Sequence, residues 1–125
     1  MMKSMPLIFL MIIFLSGFAQ TQAAEQKYPD IIDATFTSSN GSYRFNVTVS
    51  SPYDSAKRYA DAYRIMSESG EVFGIRELAH DHAYEQPFTR SVSGVKIPDD
   101  VRTLIIEGRD QQYGWGGKTF TIELP

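Results

Sequence analysis

Alternation with a period of two residues dominates this chain. In Tyr43-Arg44-Phe45-Asn46-Val47-Thr48-Val49 the odd positions are apolar and the even ones polar, the pattern of a strand with one buried face. Upstream, Ile32, Ala34 and Phe36 alternate with Asp33, Thr35 and Thr37, and Ser39-Asn40-Gly41-Ser42 joins the two runs. Asn-Gly tolerates positive φ at both positions, so a tight hairpin is expected, with Ile32, Ala34 and Phe36 on its inner face.

The pattern blurs over the next fifteen residues. Ser51-Pro52-Tyr53-Asp54 has a capping serine, a proline at the first helical position and an acid three residues after the cap. Ala56, Tyr59, Tyr63 and Met66 then fall near helical spacing, so a helix over 53–66 is one reading. The preferred one is a loop or single turn at 52–57 and a strand at 58–67, because Tyr59 to Met66 also divides into two strand faces. Beyond the Glu68-Ser69-Gly70 turn, Phe73 and Ile75 alternate until the parity slips at Glu77-Leu78. Phe88, Arg90 and Val92 share one face, and Val95 and Ile97 take the other parity, so Gly94 marks a bulge. Leu104-Ile105-Ile106 has the strength of a central strand, and Phe120, Ile122 and Leu124 face inward on a last one. Seven short strands with turn chemistry between them imply an all-β, antiparallel two-sheet sandwich of immunoglobulin-like type.

The first residues have a different logic. Lys3 precedes Pro6 to Phe18, an almost continuous apolar run, and small residues follow at Ala19, Ala23 and Ala24. This is the layout of a cleaved secretory signal. The run is shorter than the roughly 20 residues that span a bilayer, so no stable membrane anchor is expected after cleavage. Residues 1–24 are therefore read as the signal and 25–125 as one domain, periplasmic or secreted, with bacterial export the favoured route. Cysteine is absent from all 125 residues, so the domain holds together by packing, without the disulfides common in small secreted folds. Loss of Lys3 leaves eleven Lys and Arg against fifteen Asp and Glu, a balance that argues against a nucleic-acid partner.

Val101-x-x-Leu104-Ile105-Ile106-x-Gly108-x-Asp110, followed by a glycine-rich turn and a strand, resembles the closing hairpin of immunoglobulin-like and fibronectin-III-like domains, although the immunoglobulin cysteine pair is missing. A narrower likeness lies in His80-Asp81-His82-Ala83-Tyr84-Glu85-Gln86-Pro87-Phe88-Thr89-Arg90-Ser91, with Tyr59-Ala60-Asp61 before it and Asp110-x-x-x-Gly114-x-Gly116-Gly117 after. Over roughly residues 58–124 the chain is similar to a group of small exported bacterial proteins of uncharacterised function. The resemblance implies an exported β-domain and supplies no activity.

Three constellations carry chemistry. His80 and His82 are the two histidines, and two residues apart on an extended backbone they point the same way. Both imidazoles could reach one Cu²⁺ or Zn²⁺ ion, with Glu85, Glu77 or Asp110 needed to complete the site; two solvated loop histidines are the commoner outcome of such a pair. Arg90 shares its face with Phe88 and Val92, so it needs a partner, and Asp61 and Asp110 are the candidates for a structural ion pair. Tyr113 and Trp115 lie in a glycine-rich hairpin, and Tyr84 in the histidine segment, where loop aromatics serve as contact residues. No nucleophile elbow, phosphate-cradling glycine loop or metalloprotease helix is present. The expectation is a non-enzymatic exported domain that binds a protein or cell-envelope component through the loops around 79–87 and 111–117. The alternatives are a periplasmic Cu- or Zn-binding protein and a carbohydrate-binding module using Trp115.

Overall fold

A computed structural model describes residues 26–125; the expected signal segment, residues 1–24, lies outside them. Seven strands follow in order: β1 (Asp30–Ser39), β2 (Ser42–Ser50), β3 (Ala60–Ser67), β4 (Val72–Glu77), β5 (Phe88–Lys96), β6 (Thr103–Asp110) and β7 (Gly114–Glu123). They form two antiparallel sheets, ordered β1-β2-β5 and β4-β3-β6-β7. No helix occurs among the described residues, so 53–66 is turns followed by a strand.

The Asn40-Gly41 hairpin forms, with φ of 53° and 78° at its two central residues and Ser39 opposite Ser42. Its register then carries a bulge. Ile31 faces Val49 while Asp33 faces Thr48, leaving Ile32 as the extra residue. Ile31 is consequently buried and Ile32 exposed, which reverses the expected inward placement of Ile32; Ala34 and Phe36 still pack on the core. A second bulge falls on β5 between the partners of Tyr43 and Phe45, with Gly94 there at φ 70°. On β4 the parity also differs from expectation. A register shift at Phe73 turns Gly74 inward against Val95 and leaves Ile75 outside.

The core lies between the sheets. Ile31, Phe45, Val47, Val49 and Phe88 come from one, and Tyr63, Ile65, Leu104, Ile106 and Ile122 from the other. At ~25 cal/mol per Å² of apolar surface removed from water, side chains of this size each contribute about 1.5–3 kcal/mol. Tyr63 also crosses the gap, its hydroxyl donating to the Arg90 carbonyl at 2.8 Å. Burial holds that phenol's proton on well above its ordinary range.

The strand directions divide the connections between two ends. The Asn40-Gly41 turn, 68–71 and 97–102 lie at one end; 51–59, 78–87 and 111–113 lie at the other. The chain comes into the sandwich at the second end, through Gln26 to Pro29.

Candidate functional site

The loops at that second end are fixed by a polar lattice, most of it buried or partly buried. Asp54 is the first knot. Its Oδ1 accepts the Ala60 N–H at 3.0 Å and its Oδ2 accepts the His82 N–H at 3.0 Å, so one carboxylate ties the 51–59 loop to the 78–87 loop. Burial raises its pKa, and the two amide bonds work against that rise. Gln86 is the second knot. Its Oε1 accepts the Ser51 N–H at 2.7 Å, and its Nε2 donates to Ser51 Oγ at 3.2 Å and to the His82 carbonyl at 3.1 Å. Neither loop can open without stripping buried polar groups of their partners.

Asp110 anchors the third loop. Its side chain is fully buried. Oδ1 accepts from Arg58 Nη1 at 2.8 Å, and Oδ2 accepts the backbone N–H groups of Gln112 and Tyr113 at 2.8 and 2.9 Å. A buried carboxylate with a guanidinium and two amides has its desolvation largely offset. Arg58 also donates to the carbonyls of Gln26 and Lys27 at 3.0 Å each, and its guanidinium lies 4.1 Å from the Tyr53 ring centre and 5.1 Å from that of Tyr113. The Tyr53 hydroxyl, buried beside Asp110, keeps its proton far above the usual phenol range, through burial first and that carboxylate second.

The amino-terminal strap is seated by glycines. A Cβ on Gly116 would lie 2.7 Å from ring carbons of Tyr28, and one on Gly108 2.6 Å from Pro29 Cγ. At Gly117, which has φ 89°, a side chain would run into the Pro29 backbone. The Gly116-Gly117 pair therefore makes room for the chain's own strap, a role its place in a glycine-rich hairpin did not suggest.

The expected site residues divide accordingly. His80 and His82 are brought together, their ring centres 5.1 Å apart. His82 is 6% exposed, stacks on Phe88 at 3.9 Å, and its buried Nδ1 has no hydrogen-bond partner. Burial, then Arg90 and His80, depress its pKa. His80 is exposed, with Nδ1 2.9 Å from the Asp81 carbonyl; that contact suits an Nδ1–H and leaves Nε2 with the lone pair. Glu85 is engaged elsewhere: its carboxylate pairs with Arg90 at 2.8 Å, and that hydrogen bond holds its pKa down. Among the described residues no group of three or more His, Asp or Glu is placed to hold a metal ion.

The expected pairing of Arg90 with Asp61 or Asp110 does not form. Arg90 takes Glu85, five residues back across a turn, while Asp61 binds Arg109 at 2.7 Å and Asp110 binds Arg58. Trp115 also departs from its loop placement. It lies on β7 opposite Arg109, partly buried on the outer face, with the Arg64 guanidinium 4.1 Å and the Arg109 guanidinium 5.1 Å from its ring centre. Arg64 in turn pairs with Glu107 at 2.6 Å. Tyr84 is fully exposed and Tyr113 about half exposed.

Sequence reasoning passed over the roles of Gln86 and Arg58, and that of Asp54 as a tie between loops. Asp54 did carry a signal, since an acid three residues after Ser51 is a capping pattern. It caps amides here, but those of a strand and a neighbouring loop.

Comparison with known proteins adds one relative. A protein of Halomicrobium mukohataei bearing the description "Putative lipoprotein" is 30% identical over 105 residues. The match covers 83% of this chain and 51% of that protein, so the chain spans about half of the relative's length. No protein family and no solved structure matches the chain.

Proposed function

We propose that this chain is an exported, non-enzymatic β-sandwich domain that binds a protein or another envelope component through the loops at the strap end. Export is supported by the leader-like first residues and by similarity to a protein described as a lipoprotein. The sheet order β1-β2-β5 against β4-β3-β6-β7 supports the immunoglobulin- and fibronectin-III-like reading. One observation carries the binding assignment. Three loops and the strap converge, locked by Asp54, Gln86 and Asp110, and they hold five of the seven tyrosines: Tyr28, Tyr53, Tyr59, Tyr84 and Tyr113. Tyrosines on a rigid loop cluster give large amphipathic contact area at low entropic cost, the composition of binding surfaces. The test is in vivo crosslinking of the wild type and of Tyr84→Ala/Tyr113→Ala. Loss of specific adducts in a variant that still folds supports the surface; an unchanged adduct pattern removes it.

A second reading, Cu²⁺ or Zn²⁺ binding, is favoured by the 5.1 Å approach of the two imidazoles and by the unpartnered Nδ1 of His82. With Glu85 held by Arg90, the remaining ligands would be water. Isothermal titration with each metal decides it: uptake unchanged in His80→Ala/His82→Ala ends this reading.

A further inference from the structure

The outer edge of the four-stranded sheet has a composition that the loop-end site does not use. Among the described residues, strand β4 pairs with β3 alone. The register shift at Phe73 places Val72 opposite Met66 and Ile75 opposite Arg64, so both apolar side chains emerge on the outer face, 39% and 46% exposed. An open edge with two exposed aliphatic residues is a template for another strand.

We infer that β4 is a self-pairing edge, at which a second copy of this chain adds its own β4 in antiparallel register about a two-fold axis between Phe73 and Gly74. This register is self-complementary at each position. Val72 meets Ile75 of the second copy on the outer face, as apolar cross-strand pairs require. Phe73, packed on its own core, meets Gly74, which adds no side chain at the axis. Glu71 meets Arg76, opposite charges in an isologous arrangement that repeats across the axis. Arg76 donates one Nη1 bond to the Ser91 carbonyl at 2.7 Å, and a guanidinium has further donors for a carboxylate. A shift of one residue in either direction sets outward positions against inward ones, so the alternatives lose the apolar pairs. Edge charges commonly repel a second copy; here both signs are present at the spacing that joins two copies. A six-residue edge buries little area, so the dimer is a weak one that forms at high concentration or where copies are confined to a surface.

Sedimentation of the purified protein over a concentration series tests this, because the expected result is reversible dimerisation. Ile75→Lys, on an exposed position, is expected to weaken it by about tenfold or more while the melting curve stays near that of the wild type. The chain has no cysteine, so a Val72→Cys/Ile75→Cys variant is expected to oxidise to a covalent dimer, and Val72→Cys/Glu77→Cys to remain monomeric. A monomer at every concentration overturns the inference. So does a dimer indifferent to Ile75→Lys, or crosslinking that favours the out-of-register pair.

Discussion

The two ends of the sandwich are built on different principles. The Asn40-Gly41 end uses short local devices: a two-residue turn with both φ positive, Gly70 at φ 95°, and the Ser67 carbonyl accepting the Gly70 N–H at 3.0 Å. Each device acts within a few residues. The strap end uses long-range ones, with Asp54 reaching 28 residues ahead to His82 and Arg58 reaching 52 residues ahead to Asp110. Local turns fix where strands reverse. Long-range polar knots fix how separate loops sit beside one another, which is what a composite contact surface needs.

The sharpest way to break this contrast is Asp110→Ala. It takes the carboxylate from Arg58 and the acceptor from two amides, and removing one member of a buried pair costs about 3–5 kcal/mol. Urea unfolding is expected to show that loss, with amide exchange accelerating first at 111–113 and at 26–28. Asp54→Ala comes next at about 2 kcal/mol, since two buried amides lose their acceptor; faster exchange at both Ala60 and His82 checks it. At the opposite end Gly70→Ala is expected to cost about 1 kcal/mol, through positive φ alone, with exchange at the far loops unchanged. A similar response at both ends would erase the distinction.

A smaller effect follows from His82. Its folded-state pKa lies below the ordinary value of 6.5, so the unfolded chain binds the proton more readily. The neutral ring's stabilisation is complete above that value and is lost as pH falls through the window beneath it. Asp54, whose pKa is raised, contributes in the opposite sense. The difference between wild type and His82→Gln from pH 7 to 5, measured with chelator present, is expected to show a steeper loss for the wild type. Smallest of all, Tyr84→Ala is expected to change stability by less than about 0.5 kcal/mol, because its side chain is fully exposed. Any loss of partner adducts would then report contact alone.

Much of this fold was legible because period-two alternation reports directly on one buried face. Tyr43 to Val49, the Asn-Gly turn, the Gly94 bulge and the central Leu104 to Ile106 strand each follow from local chemistry. Bulges without a glycine were not legible. Ile32 and Phe73 look like regular positions, and only pairing with β2 and β3 shows which residue is extra. The site was half visible: the sequence marked His80, His82, Tyr84 and Tyr113 by type. It could not show that Glu85 satisfies Arg90, or that Asp61 and Asp110 are claimed by Arg109 and Arg58. Those pairings depend on which strands are neighbours, which no window of residues contains.

Because Gln26 and Lys27 are held by Arg58 beside Tyr113 while Leu124 bonds Arg102 at the far side, the chain runs into and out of the sandwich at opposite poles. A carrier fixed at the strap end would restrict approach to the tyrosines. A carrier or sensor chip attached beyond Pro125 would instead present them outward, so immobilisation geometry alone should decide whether a binding measurement with this domain succeeds.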